Sequence, residues 1–443
     1  MADLDRDEMD EEFDRREFRR KRRIRNQIIS YIVTGIILAA VVVGAIVGIR
    51  KAGVVLSEKK RSEEQQMQAD ENEDQQEEPA VVEAPENTPQ IGEEKSRLDM
   101  IVDDCIAGMT LEDKAAGLFI ITPEALTGVD IAIKAGDTTK EKLSEYALGG
   151  LVYFEQNIKS KDQLTEMLST TKGSGKYPLF IAVDEEGGTV SRVAESGLAD
   201  NVGSMGDIGA SGDTAKAKEA GSAVAAYLSE FGFNLNFAPV ADVLLENNAI
   251  IGDRSFGSDA QGAGAMAAAN VEGLQEGGVS ACLKHFPGLG SASEDTHDGM
   301  VVSERTQEEF EANEFTAFRA GIEAGAEFVM VSHLSVPGIT GDNTPSSVSG
   351  KVIGDLLRGE LGFDGIVITD AMDMSAITDY YTADEAAVMA LQAGADMILM
   401  PEDFETAYNG VLEAVNSGRL SEERIDESLR RIFRVKMKDR AEE

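Results

Sequence analysis

The chain has 443 residues, which is enough for one large domain with flanking segments. It carries 81 acidic and 41 basic residues, a formal net charge of -40 at pH 7, so it would repel a phosphate backbone and we expect no nucleic-acid partner. Cys105 and Cys282 lie far apart and in no metal-ligand spacing, so we predict two buried thiols rather than a disulfide framework.

The first predicted element is a membrane span at residues 28–49, IISYIVTGIILAAVVVGAIVGI. An uncharged helix of this length crosses a hydrocarbon core of about 30 Å. Eight basic residues lie between residues 15 and 25, whereas only Arg50 and Lys51 open the far side. The positive-inside rule therefore predicts a cytoplasmic tail at residues 1–27 and an extracellular remainder. A cleaved signal peptide is the alternative, although its apolar core would be only about 7 to 15 residues long.

Residues 50–96 are predicted to be a disordered acidic linker. From Ser57 onward the segment is rich in Glu, Gln and Pro and has almost no large apolar residues. Such a segment buries too little surface to offset the entropy of ordering it. A solvated acidic helix is the alternative for its Glu/Gln-rich part. Either form would serve as a spacer before the folded domain, residues 97–443.

Within that domain, short apolar runs alternate with stretches of helical periodicity. Eight runs are predicted strands: GLFIIT from Gly117, GGLVYF from Gly149, PLFIAVD from Pro178, NLNFAPVADV from Asn234, VSACLKHF from Val279, EFVMVSHL from Glu327, GIVITDAMD from Gly365 and DMILMPED from Asp396. Strands that alternate with helices pair in parallel, so this pattern predicts a closed α/β barrel of the (β/α)8 TIM-like type. An open doubly wound sheet is the alternative, although no strand leads into a GxGxxG helix start.

Ionisable residues end several of these strands. They are Asp184, Asp242, Lys284 with His285, His333, and Asp370 with Asp373. Because barrels of this type carry their active sites at the carboxyl ends of the strands, we expect these side chains to surround one site.

The types of residue at these ends narrow the chemistry. VDEEGGTVSR lacks the lysine and the spacing of a phosphate-binding loop. A divalent metal would need Asp295, His297 and Asp298 together with another histidine, but paired-histidine spacings are missing and Lys284 would oppose a cation. We therefore predict neither a metal nor a cofactor.

Glycoside hydrolysis suits this set of residues, because it needs a carboxylate at the anomeric carbon and a separate proton donor. Asp370 ends the apolar strand GIVIT and is the candidate nucleophile. His297, on the loop after KHFPGLG, is the candidate proton donor. The ordinary pKa of histidine, about 6.5, suits proton transfer at neutral pH. Asp295 stands close enough in sequence to orient its ring. The alternative for His297 is an ordinary surface-loop histidine.

These motifs resemble glycoside hydrolase family 3, in particular its single-barrel β-N-acetylglucosaminidases. The resemblance covers essentially the whole chain after residue 97. It rests on VDEEGGTVSRV, NFAPVADV, IIGDRSFG, KHFPGLG with the DTH that follows it, and ITDAMDM.

The resemblance implies a role for each matching residue. Asp370 would form a glycosyl-enzyme, and His297 would act as acid and base with support from Asp295. Sugar hydroxyls would be held by Asp184, Arg192, Arg254, Lys284 and His285. His333 matches a strand-end histidine of the family, for which structural packing is an equal explanation.

Two positions depart from the family pattern. Leu289 stands where the family has the second histidine of KHFPGHG, which puts the position of the loop and the rate in doubt. Glu185 stands where glutamine is common, at a position that we expect to lie behind the site.

The sequence therefore predicts a membrane-tethered, outward-facing, retaining exo-β-N-acetylglucosaminidase. Its carbohydrate substrate would be a terminal β-linked N-acetylglucosamine of cell-wall muropeptides or of chitin-type oligosaccharides. Two alternatives stay open, a β-glucosidase or β-xylosidase of the same family and a non-catalytic glycan-binding surface protein. The oligomeric state is not predicted.

Overall fold

The computed structural model describes residues 96–245, 248, 250–292, 296 and 299–441. The predicted cytoplasmic tail, membrane span and linker lie outside the described residues, apart from Ser96 at the end of the linker. Asp295 and His297 lie outside them as well. No helix in the described part of the chain is long and apolar enough to cross a membrane.

Within the described ranges, eight parallel strands form the central sheet and two antiparallel strands form a hairpin. The sheet consists of β1 (Phe119–Ile121), β2 (Gly150–Val152), β3 (Phe180–Val183), β6 (Leu235–Asn236), β7 (Ser280–Phe286), β8 (Phe328–Val331), β9 (Ile366–Thr369) and β10 (Ile398–Leu399). The hairpin consists of β4 (Glu185–Gly187) and β5 (Val190–Ser191).

The strand order closes the sheet on itself. The strands run β10-β1-β2-β3-β6-β7-β8-β9, and a parallel bridge between Ile368 and Met397 joins β9 to the segment that enters β10. Each of the eight predicted apolar runs contains one strand of this sheet. The structure therefore confirms the predicted parallel, eight-stranded, barrel-like α/β fold.

Helices surround the sheet in the described chain. They are α1 (Arg97–Ala107), α2 (Leu111–Ala116), α3 (Pro123–Thr127), α4 (Asp137–Glu145), α5 (Lys161–Ser174), α6 (Arg192–Glu195), α7 (Met205–Ala210), α8 (Thr214–Phe231), α9 (Ala260–Glu276), α10 (Gln307–Ala312), α11 (Glu314–Glu323), α12 (Pro337–Thr340), the π-helical α13 (Lys351–Glu360), α14 (Ser375–Thr378), α15 (Ala383–Ala393), α16 (Phe404–Asn416) and α17 (Glu422–Lys436). Short 3-10 turns lie at Glu155–Asn157, Gly252–Arg254, Ser346–Val348 and Lys438–Ala441.

Local sequence explains where many of these helices begin and end. Ser160, Asp213 and Thr306 each precede a helix and accept a hydrogen bond from an amide of its first turn. Gly232 and Gly394 end α8 and α15 in the left-handed conformation, which glycine adopts without steric cost.

The core lies between the sheet and the helices and inside the barrel. All seven residues of β7 are buried, as expected for a strand covered on both faces. Cys282 of this strand is fully buried, as predicted, but the prediction was wrong for Cys105, which is partly exposed on α1. Both cysteines are free thiols.

The barrel's carboxyl-terminal end carries Lys284 and His285 of β7 and Asp370 directly after β9. Other polar residues of this end lie in three segments that follow strands. They are the hairpin after β3, the segment between β6 and α9, and the segment between β7 and α10. Side chains that are far apart in sequence therefore meet at one end of the sheet.

Candidate active site

A cavity of about 380 Å³ opens at the carboxyl ends of the strands. All six of the predicted site residues that the structure describes line it: Asp184, Arg192, Arg254, Lys284, His285 and Asp370. Of the predicted acid/base pair, Asp295 and His297 lie outside the described residues, whereas Thr296 lines the cavity. Asp242 and His333, two other strand-end residues expected to surround this site, do not line the cavity.

Asp370 follows β9 directly and is held by its backbone. Its amide donates to the carbonyl of Val331 at 2.8 Å, and its own Oδ1 accepts from the amide of Ala371 at 2.8 Å. Burial alone would raise the pKa of Asp370, but the imidazoles of His285 and His333, the amide of Ala371 and the ammonium of Lys284 together outweigh burial. The pKa of Asp370 consequently lies below its ordinary value, so the side chain is a carboxylate at neutral pH.

A buried ion network forms the polar wall of the cavity. Lys284 Nζ lies 2.6 Å from Asp184 Oδ1 and 2.7 Å from Glu186 Oε1. Arg254 donates to both carboxylate oxygens of Glu186, each at 2.8 Å. Burial would raise the pKa of Glu186, but Lys284 and Arg254 together lower it to about 2. The two cations and two anions hold one another in fixed positions.

Glu186 is a member of the site that the sequence analysis missed. A signal for it was present, because Asp184 and Glu186 are two residues apart in extended backbone and such residues point to the same side. Glu185, between them, points the other way and does not line the cavity.

Glu185 lies behind the site, as expected. Its carboxylate accepts from the amides of Val193 at 2.7 Å and Ala194 at 3.0 Å, and from the hydroxyl of Tyr227 at 2.9 Å. These bonds fix the first turn of α6, which begins with Arg192. Among the described residues nothing accepts a hydrogen bond from the buried Nε of Arg192, which lines the cavity. Glu185 thus positions a guanidinium that is available to a substrate.

Asp242 organises the turn that follows β7, a role that the sequence analysis did not assign. Its carboxylate accepts from the backbone amides of His285 at 3.2 Å and Leu289 at 2.7 Å. It also lies 2.7 Å from His285 Nδ1. The fully buried carboxylate therefore fixes both the turn and the orientation of the imidazole.

Leu289 lines the cavity and is buried. Asp242 contacts its backbone amide, and Asn248 Nδ2 donates to its carbonyl at 2.8 Å. Because the turn is held through the backbone of residue 289, a leucine replaces the usual histidine of the family pattern without loss of these bonds.

His333 is fully buried and does not line the cavity. Its Nε2 lies 2.8 Å from the carbonyl of Ala371, and its Nδ1 lies 2.8 Å from Ser347 Oγ. A carbonyl only accepts, so Nε2 carries the proton. His333 therefore holds the backbone next to Asp370 from behind.

The arrangement favours attack on a neutral polar substrate. A carboxylate that is ionised at neutral pH faces a cavity whose wall offers fixed donors, Lys284 and Arg254, and a fixed acceptor, Asp184. In the described part of the chain no three His, Cys, Asp or Glu side chains gather with metal-ligand geometry.

Comparison with known proteins gives a consistent result. Residues 110–435 match the model of the Glycosyl hydrolase family 3 N terminal domain. A beta-hexosaminidase from Stenotrophomonas maltophilia is 36% identical over 280 residues, which cover 61% of this chain and 82% of the relative. A beta-hexosaminidase from Nitrosomonas eutropha is 34% identical over 275 residues, which cover 61% of this chain and 78% of the relative.

A solved structure shares the fold. The glycoside hydrolase family 3 beta-N-acetylglucosaminidase from Paenibacillus sp. is 35% identical, with a TM-score of 0.69. The match covers 76% of this chain and spans 64% of the length of the Paenibacillus chain.

Glu186→Gln should lower stability near neutral pH by about 3–5 kcal/mol, because it leaves the buried Lys284 and the partly buried Arg254 with one anion fewer. It should also flatten the pH dependence of stability in acid. The folded-state pKa of Glu186 is about 2, below the ordinary value of 4.5. The stability that this carboxylate contributes is therefore present above the ordinary value and lost as the pH falls through the folded one.

Urea unfolding at roughly pH 3 and pH 6, followed by circular dichroism, measures this difference. The matched control is Glu195→Gln, which changes an exposed glutamate of the same segment and should behave as the unchanged chain does. The same pH slope in Glu186→Gln and in the unchanged chain would contradict the assignment.

Proposed function

The chain belongs to glycosyl hydrolase family 3 and is a glycoside hydrolase, and we propose that it is a retaining exo-β-N-acetylglucosaminidase. The observation that carries this proposal is the placement of Asp370. This carboxylate lines the same cavity as the network of Asp184, Lys284 and Arg254, which presents hydrogen-bonding groups to a sugar ring. The relatives are named beta-hexosaminidase and beta-N-acetylglucosaminidase, which supports an N-acetylhexosamine rather than glucose as the sugar that is released.

The proposed reaction is a double displacement. Asp370 attacks the anomeric carbon and forms a covalent glycosyl-enzyme, while His297 protonates the leaving oxygen. His297 then removes a proton from a water molecule, and the water attacks the anomeric carbon and releases Asp370. The lowered pKa of Asp370 supports its part, because a weakly basic carboxylate is ionised before attack and leaves readily afterwards.

The supporting side chains have complementary roles in this proposal. Lys284, Arg254 and Arg192 would donate to sugar hydroxyls, and Asp184 would accept from one. His285, whose Nδ1 donates to Asp242, would bind a sugar hydroxyl through Nε2. Asp295 would orient His297 and stabilise the imidazolium that forms.

The first test compares aryl β-N-acetylglucosaminide with aryl β-glucoside as substrates for the full-length chain. We expect kcat/KM to be at least about tenfold higher for the N-acetylglucosaminide, since a site that bonds the acetamido group rejects an analogue that lacks it. A preference for the glucoside or xyloside would favour the other activities of the family. Hydrolysis of neither would favour a glycan-binding protein.

The ratio of N-acetylglucosamine released from a muropeptide and from chitobiose then identifies the natural substrate class.

The second test separates the roles of the two proposed catalytic residues. Asp370→Ala should abolish turnover of every substrate, because the covalent step is lost. His297→Ala should lower kcat/KM for chitobiose by roughly 10²- to 10⁴-fold, but much less for a 2,4-dinitrophenyl glycoside, whose leaving group needs little protonation. Equal losses on the two substrates would count against His297 as the acid.

We also propose that the enzyme is anchored in the cell membrane by residues 28–49 and faces outward. The charge asymmetry around this stretch and the acidic spacer that follows it support the proposal. Protease added to intact cells should digest a tag at the C-terminus and leave a tag at the N-terminus intact. A protected C-terminal tag would show that the domain is not exposed outside the cell.

A further inference from the structure

A second buried carboxylate contacts the turn that Asp242 organises. Glu314, the first residue of α11, is fully buried. A β-carbon at Gly288 would lie 2.3 Å from Glu314 Cγ, so the glutamate side chain packs directly against the backbone of the turn. Only glycine fits at position 288, which also has a positive φ of 131°.

Arg305 holds this glutamate in place. Its Nη1 is bonded to Glu314 Oε1, and its Nη2 donates to the carbonyl of Glu309 at 2.7 Å. The guanidinium also lies 5.0 Å from the centre of the Phe310 ring. The guanidinium of Arg305 is therefore held against α10 and presents one donor to the carboxylate behind the turn.

Packing of aromatic side chains joins the same two elements. Phe286, at the start of the turn, stacks on Phe315, the neighbour of Glu314, with ring centres 5.5 Å apart. Two successive residues at the start of α11, Glu314 and Phe315, thus contact the turn at Gly288 and at Phe286.

The ion pair with Arg305 does not fully offset the free-energy cost of burying the Glu314 carboxylate. Burial raises the pKa of Glu314 to about 7, with Arg305 opposing the rise and Asp242 adding to it. Its Oε2 is buried and has no hydrogen-bond partner among the described residues. Such a group is costly to keep in a core, which indicates that its placement against the turn has a use.

We propose that Arg305 and Glu314 form a positioning pair that presses the turn at Gly288 against the Asp242 carboxylate and so keeps the imidazole of His285 in place beside Asp370. This inference deepens the proposed hydrolase function and rests on it for its kinetic consequence. The pair acts through the turn and does not line the cavity.

The consequence for the reaction follows from the charges that face Asp370. His285, His333 and Lys284 favour its ionised form, and His285 is the histidine that the turn carries. When the turn loosens, His285 moves away from Asp370 and the pKa of Asp370 rises. The acid limb of kcat/KM then moves to higher pH, since attack requires the carboxylate.

The test uses Glu314→Met and Arg305→Lys in the full-length chain, both of which keep most of the side-chain volume. Methionine removes the acceptor for Arg305 at every pH, whereas glutamine would resemble the protonated glutamate. The matched control is Glu323→Gln, an exposed glutamate at the other end of α11. On aryl β-N-acetylglucosaminide we expect kcat/KM to fall about tenfold in the two test variants, as for a slightly misplaced active-site group. We also expect their acid limb to move up by roughly half a pH unit or more, with no change in the control. Partial unfolding would lower kcat but would leave the pH profile unchanged.

Hydrogen exchange supplies a readout that does not depend on activity. The amide of Leu289 donates a hydrogen bond to Asp242, and its hydrogen exchange should be at least about tenfold faster in both test variants. The thermal midpoints of both variants should stay close to that of the control. If the unchanged chain hydrolyses no N-acetylglucosaminide, the proposed function fails while this measurement still tests the pair. Unchanged exchange at Leu289 in both variants, or an unchanged acid limb in an active enzyme, would overturn the inference.

Discussion

The buried ammonium of Lys284 is the constraint on which the cavity depends. Lys284 is only 2% exposed, and a buried ammonium group is stable in the fold only when anions surround it. Asp184 and Glu186 supply those anions from the segment after β3, and Lys284 comes from β7. Glu186 in turn holds Arg254, which lies on the segment after β6. The neutralisation of one buried charge thus brings together polar residues from β7 and from the segments after β3 and β6. These residues form the polar wall of the cavity.

The sequence was sufficient for the parts of the molecule that depend on local pattern. Each apolar run marked a strand, because strands covered on both faces are apolar throughout. The rule that active sites lie at the carboxyl ends of barrel strands then placed Asp184, Lys284 and Asp370 at one cavity without any structural information. Asp370 was the candidate nucleophile from its residue type and its place at the end of a strand, whereas the roles proposed for Asp184 and Lys284 came from the family motifs.

The contacts that the sequence did not reveal join residues that are distant in the chain. Asp242 was visible as a strand-end carboxylate, but its bonds to two amides and an imidazole of the turn depend on the neighbouring positions of β6 and β7. Glu186 meets Arg254 only because β3 and β6 are adjacent in the sheet. Glu314 lies within an ordinary helical pattern, where nothing distinguishes it from an exposed glutamate. Its burial depends on how α11 packs against the turn at Gly288, which is a tertiary property.

The charge balance of the cavity explains how one carboxylate is set apart from its neighbours. Asp184, Glu186, Lys284 and Arg254 neutralise one another through short contacts, so their fields largely cancel at a distance. Among the described residues Asp370 belongs to no such pair, and its ionised form is favoured by imidazoles and by the Ala371 amide. In a cavity with a low local dielectric, its field is therefore the one that positive charge at an anomeric carbon would meet most strongly. In the proposed mechanism the network would hold the sugar hydroxyls, and Asp370, which lies outside the network, would be the nucleophile. The two groups would then differ in the way that a retaining glycosidase requires, because only the nucleophile keeps an unpaired negative charge.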